Sequence, residues 1–400
     1  MTRPIRSHHG LACLLTAALV TALAAAPVRA DSRADDRTPL GEVGQGLDAA
    51  LAKYREIERR GGWPVISEGG QLRPGTRDPR VVELRRRLAV TGDYGGENSS
   101  DEQVLVGVSS DIYDQKLMGG VKRFQVRHGL EATGWVDAET LAELNVPVQL
   151  RIAQLARNLE RARRIPRELG SRYIHVNIPD AHLKLVESGR TLHTARVVLG
   201  EAAHATPELN STITHIELNP WWNAPTSILK RILIPKFLGE PKYITENDYV
   251  LLTRAGDNKS AVDPASINWD SVSERNFRWA VRQKPGPKNV LGRVVFWFNS
   301  KHNVFLHDTA APELFEDDVR YFSSGCIRVD SAVYMAMLLL RDQDDGSWTE
   351  GRINSIIDTR DPYKITFARP VQVYITYFTA WTDTSGRVQF RQDIYKRDRL

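Results

Sequence analysis

The apolar period of this chain changes at Arg172, and that change limits the folds open to it. Before it, hydrophobic residues recur every three or four positions: Leu47, Ala50, Leu51, Tyr54 and Ile57; Val81, Leu84 and Leu88; Leu117, Val121 and Phe124; Ile152, Leu155 and Leu159. That is the spacing of one buried helix face. Beyond it come short β-rich runs, among them Tyr173 to Ile178, Leu183 to Val186, Thr194 to Leu199, His215 to Leu218, Gly292 to Phe298, Val304 to His307 and Val371 to Tyr377. Pro179 and Ser188-Gly189 punctuate them as turns. Helices followed by strands predict an α+β chain, and 400 residues predict two or three domains. The 42% apolar content supplies their cores.

The first thirty residues read as a secretory signal peptide. Arg3 and Arg6 form a positive head, Leu11 to Ala26 an apolar stretch, and Val28-Arg29-Ala30 a small-residue cleavage site. The expectation is therefore a soluble exported protein. Cleavage would remove three arginines and no acid, taking the net charge from +5 to +2. A nearly neutral chain gives no compositional support for nucleic-acid binding.

Residues 31–77 read as a lead-in and scaffold helix that stops at Gly61-Gly62. Residues 78–147 read as a small helical unit, and 148–171 as a connecting arginine-rich helix. Arg151, Arg157, Arg161, Arg163, Arg164 and Arg167 are interrupted by Glu160 and Glu168. A solvated charged face is expected there rather than an anion site. Residues 226–284 are polar, with scattered Pro and aromatics, and interrupt the strand series. They read as a partly helical inserted cap or lid.

Cys13 falls in the leader, so Cys326 would be the one thiol of an exported mature chain. Oxidising compartments pair or damage spare thiols, which makes Cys326 a candidate nucleophile. Gly325 before it permits a turn closed to other residues. Such a turn can expose the sulfur and aim N–H groups at an oxyanion, with Ser323 and Ser324 as further donors. Arg328 would favour thiolate, as would the start of a helix over Ser331 to Leu340. His307, closing a strand-like run, is the candidate base, its second nitrogen held by a backbone carbonyl or by Asp308.

These residues, with their flanks, resemble the YkuD-type L,D-transpeptidase catalytic domain, specifically its large periplasmic YcbB-like branch. The resemblance rests on Val176-Asn177-Ile178-Pro179, Thr206-Pro207, Asn219 to Pro225, Pro285-Gly286-Pro287, His307-Asp308-Thr309 and Ser323 to Val329. Phe124-Gln125, His128-Gly129-Leu130, Gly134, Asp137 and Thr140-Leu141 resemble a peptidoglycan-binding module.

The resemblance implies a mainly-β, sandwich-like catalytic domain over 172–400 with an inserted capping subdomain, beside a small all-α wall-binding domain. It implies that Cys326 expels D-alanine from a tetrapeptide stem and passes the thioester to a diaminopimelate amine, making a 3→3 cross-link. Neither metal nor cofactor is called for, and carbapenem-type β-lactams are implied as covalent inhibitors. Trp222, Asn223 and Thr309 are placed at the substrate. Water or a protein lysine as acceptor remains open, and so does an inactive peptidoglycan-binding protein. Val295, Ser300 and Phe305 replace an expected lysine, proline and tyrosine, outside the nucleophile motif.

Overall fold

The computed structural model describes residues 40, 43–44, 46–95, 109–253, 260–343 and 346–399. Residues 1–30, read above as a leader, lie outside them with Cys13. Among the described residues, no helix is long and apolar enough to cross a membrane.

The helical half follows its periodicity. Helices α1 (Leu47–Arg59), α2 (Arg80–Val90), α3 (Gln115–Arg127), α4 (Ala138–Leu144) and α5 (Val148–Ala162) occur in order. Asp114 and Asp137 start α3 and α4 by accepting the N–H groups of Leu117 and Thr140. The apolar faces of α2, α3 and α4 meet in one core around Leu84, Leu88, Phe124 and Leu144.

The solvated face expected of this arginine-rich stretch holds in part: Arg163, Arg164 and Arg167 are exposed, but two arginines of α5 are not. Arg151 is buried against Glu143 and the ring of Phe390, and Arg161 pairs with buried Asp398 at 2.5 Å. Gln154 and Asn158 bond the chain around Thr379. The reason is tertiary: the C-terminal tail lies along α5, and periodicity within one helix cannot register a segment more than 200 residues away. His128 is likewise internal, stacked between Phe124 and Phe390.

The main sheet of the second half closes on itself. Strands β1 (Arg172–Asn177), β2 (His182–Glu187), β3 (Arg190–Gly200), β4 (Leu209–Leu218), β9 (Val294–Phe298), β10 (Leu306–His307), β12 (Ile327–Val329) and β13 (Tyr363–Thr376) pair in the order β3-β12-β10-β9-β4-β13-β1-β2. Strand β2 then returns to β3, and β11 (Tyr321–Ser323) pairs with β3 outside that circuit. Closure leaves no open edge in that circuit. Strand β3 pairs with β2 over its first half and with β12 at Val197 and Val198, so it carries the sheet round a corner. Pro370 sits where the β13–β4 register breaks, between Thr366 and Val371, a place where a missing N–H costs no ladder bond. Helix α6 (Ala332–Leu340), apolar on nearly every side, fills the core beneath; α7 (Glu350–Thr359) packs beside it.

The insertion has its own core of Trp222, Leu233, Phe237, Tyr249, Phe277 and Trp279. It also has its own sheet, β5-β8-β6-β7, made from β5 (Trp222–Asn223), β6 (Tyr249–Leu252), β7 (Ala261–Val262) and β8 (Ala280–Gln283). This structure therefore starts at Trp222 rather than at 226, and is more β-rich than its composition suggested.

Candidate active site

Strand register places the candidate nucleophile and base. β10 and β12 run parallel, with Leu306 opposite Ile327 and His307 opposite Arg328. The Ile327 N–H donates to the Phe305 carbonyl at 2.9 Å, continuing the pairing back to Phe305 and Cys326. Side chains alternate across a sheet. Leu306 and Ile327 face the core, so Phe305, His307, Cys326 and Arg328 share the other face. Strand spacing and rise set the Cα atoms of Cys326 and His307 about 8 Å apart.

The turn before Cys326 is held from three sides. Gly325 has φ +112°, a left-handed value that favours glycine. Ser323 Oγ accepts the Gly325 N–H at 3.1 Å and donates to the Cys326 carbonyl at 2.5 Å. Ser323 thus staples the turn, and the Gly325 N–H it occupies is not available to an oxyanion. Thr206 Oγ1 accepts the Gly200 N–H at 2.9 Å and donates to the Gly325 carbonyl at 3.0 Å. The Tyr395 hydroxyl donates to the Gly200 carbonyl and accepts the Thr206 N–H. Ser324 is exposed, and its Oγ accepts from Arg231 of the insertion at 2.6 Å.

The thiol of Cys326 is half-buried and directed at the Asn303 carbonyl, 3.8 Å away. Burial pushes it above its ordinary value, against a backbone hydrogen bond from Phe305 and the charge of Arg328. The thiolate expected from Arg328 is thus outweighed by desolvation. The helix contributes nothing at contact range: α6 begins only after β12, a strand of three residues and about 10 Å.

His307 is buried, and its Nδ1 donates to the Asp308 carbonyl at 2.5 Å. Burial lowers it to about 4, assisted by Arg328 and opposed by the carbonyls of Asp308 and Leu291. With Nδ1 protonated, Nε2 carries the lone pair. The Asp308 carboxylate is turned away, accepting the N–H and Nε of Arg293 at 2.9 Å each.

The remaining expected substrate residues are placed differently. Trp222 is in the core of the insertion, edge-on to Tyr249. Asn223 is exposed on β5 beside Arg282. Thr309 accepts the Ala311 N–H. Two of the departures do adjoin the motif: Val295 is the register partner of His307, and Phe305 that of Cys326. Thr206, Gly200, Tyr395 and Arg231 escaped sequence reasoning as site residues. Only Thr206-Pro207 and the tail segment Asp393-Ile394-Tyr395 gave a signal, as flanking motifs of the resemblance. Among the described residues, no group of three or more His, Cys, Asp or Glu side chains converges as a metal site would.

Residues 171–343 match the family model of the L,D-transpeptidase catalytic domain, YkuD. Residues 77–144 match the family described as "Putative peptidoglycan binding domain". A Haemophilus influenzae protein named "Putative L,D-transpeptidase" is 35% identical over 246 residues, 62% of this chain and 48% of that protein. The chain spans about half the length of this curated relative. A solved L,D-transpeptidase from Xylanimonas cellulosilytica is 14% identical over 77% of this chain and 98% of its own, with a TM-score of 0.23. L,D-transpeptidase 3 from Mycobacterium tuberculosis, in complex with a faropenem-derived adduct, is 9% identical over 52% of this chain and 60% of its own, with a TM-score of 0.23.

Proposed function

We propose that this chain, which carries a YkuD-type L,D-transpeptidase catalytic domain beside a peptidoglycan-binding domain, forms 3→3 cross-links in peptidoglycan through a thioester on Cys326. The observation that carries the reading is the shared face of Cys326 and His307 on neighbouring parallel strands, with burial keeping the His307 ring neutral.

The chemistry follows from those two residues. Cys326 Sγ attacks the carbonyl of the third stem residue, and its proton passes to Nε2 of His307. A raised thiol beside a depressed imidazole favours transfer during attack over a standing thiolate–imidazolium pair. The oxyanion falls to the Cys326 N–H, which has no hydrogen-bond partner among the described residues. D-alanine leaves with the proton from His307. The diaminopimelate amine of a second stem then attacks the thioester, gives a proton to His307, and releases the thiol. The energy of the broken peptide bond stays in the thioester between the two steps.

The apolar leader supports a periplasmic location, and the helical unit supports contact with the wall. A carbapenem would acylate Cys326 by the same attack. Incubation with a disaccharide-tetrapeptide and mass spectrometry of the products is the test. A cross-linked dimer with loss of D-alanine is expected. Tripeptide alone would make water the acceptor, and unreacted substrate would exclude the proposal.

A further inference from the structure

Away from the nucleophile, a cavity of about 500 Å³ opens between α5, the start of β4, the end of β13 and the C-terminal tail. Six cations line it, against the carboxylates of Glu160 and Glu208. Three are committed. Arg157 pairs with Glu160, Arg161 with Asp398, and Arg397 with Glu208. Arg161 and Arg397 also lie over the ring of Tyr377, at 5.1 and 4.8 Å from its centroid.

The other three, Arg164, Lys396 and Arg399, are exposed. None has a side-chain hydrogen bond or ion pair to any described residue. Uncompensated cations converging on one concavity repel each other and gain from an anion that bridges them. Guanidinium forks match carboxylate and phosphate alike.

We propose that this cavity is a binding site for a small multivalent oxyanion, one carrying two or more carboxylate or phosphate groups. A single acetate-sized group carries one negative charge against these three cations. The site is separate from Cys326 but not remote in structure. Arg397 also donates to the Thr206 carbonyl at 3.3 Å, and Thr206 is the residue that holds Gly325.

Calorimetric titration of the intact chain with citrate, inorganic pyrophosphate and acetate tests this. Citrate or pyrophosphate is expected to bind one to one, more tightly than acetate and less tightly as salt rises. The variant Arg164→Gln with Lys396→Gln and Arg399→Gln should weaken that binding about tenfold or more, because each side chain brings a charge-assisted contact. Its melting curve should match the parent, since none of the three side chains has a partner among the described residues to lose. A control that removes three exposed cations elsewhere, Arg86→Gln with Arg190→Gln and Lys364→Gln, should bind as the parent does. Tighter citrate binding would assign the site to carboxylate-rich ligands such as wall peptides, and tighter pyrophosphate binding to phosphorylated ones. The proposal fails if neither polyanion binds by about 1 mM, a free energy near −4 kcal/mol. It also fails if the cavity variant binds as the parent does, or if the control variant loses binding equally.

Discussion

The hydroxyl of Thr206 donates to the carbonyl of Gly325 at 3.0 Å while accepting the N–H of Gly200 at 2.9 Å, so one buried side chain ties the turn before Cys326 to β3. Thr206→Val keeps the shape and orphans both backbone groups. Each buried orphan costs about 1–3 kcal/mol, so the urea midpoint should fall. Carbapenem acylation of Cys326 should slow, and Thr206→Ser should restore it. Normal acylation by a folded Thr206→Val protein would show that the turn holds its geometry without this bond.

Arg231 joins the insertion to the catalytic face. It donates to Ser324 Oγ at 2.6 Å and lies 3.5 Å from Glu201. Exposed contacts of this kind are worth at most about 1 kcal/mol. Arg231→Ala should therefore leave the melting temperature nearly unchanged. With one tether of the cap removed, KM for the tetrapeptide donor should rise several-fold while acylation by a small carbapenem stays near the parent rate. Unchanged KM would separate the insertion from substrate binding.

How much of this was legible follows from particular residues. Local pattern carried the helices, the strands and the pairing of Cys326 with His307, because periods of 3.6 and 2 and a lone cysteine after glycine are written in the chain. The contacts that close the molecule were not. Arg127 donates to the Val388 carbonyl, Arg391 pairs with Asp180, and Arg161 pairs with Asp398. No local spacing encodes partners more than 200 positions away. Trp222 misled for the same reason, since an aromatic in a motif looks the same whether it meets substrate or a neighbouring Tyr249. The thiol misled differently: Arg328 is only two residues away in sequence, whereas the burial that outweighs it exists only after folding.

The pH dependence of acylation should report the neutral base. The proposed base His307 can accept a proton only when its ring is neutral, and burial holds it near 4. The parent rate should stay level from about pH 5.5 to 8, falling only as pH approaches 4. In His307→Gln, attack must await ionisation of a thiol whose pKa is raised. The rate should drop by about 10²–10⁴-fold at neutral pH and then climb about tenfold per pH unit. A level profile in His307→Gln at the parent rate would remove His307 from the mechanism.

Acid should destabilise the fold through its buried imidazoles. His128, His175 and His307 are all held below their ordinary value by burial, His175 at about 3 and His307 at about 4. Unfolded histidine titrates near 6.5. Between there and about 4 the unfolded chain binds protons that the folded chain does not, so stability falls as pH falls. Three groups give at most about 4 kcal/mol per pH unit, at about 1.4 kcal/mol each. Urea midpoints at pH 7.5, 6.5 and 5.5 check this. The slope below 6.5 should be steep and should shrink in His175→Asn; an equal midpoint at all three would contradict the burial of these rings.

The most direct measurement is the intact mass of the protein after brief exposure to a disaccharide-tetrapeptide, read for the parent, Cys326→Ala and His307→Gln. The expected result is a single adduct on the parent, equal to the donor less D-alanine and located on Cys326 by peptide mapping. Cys326→Ala should show none while keeping the parent melting curve, and His307→Gln should accumulate the adduct far more slowly. An adduct of that mass on Cys326→Ala, or cross-linked product formed without any adduct on Cys326, would contradict a thioester on this residue.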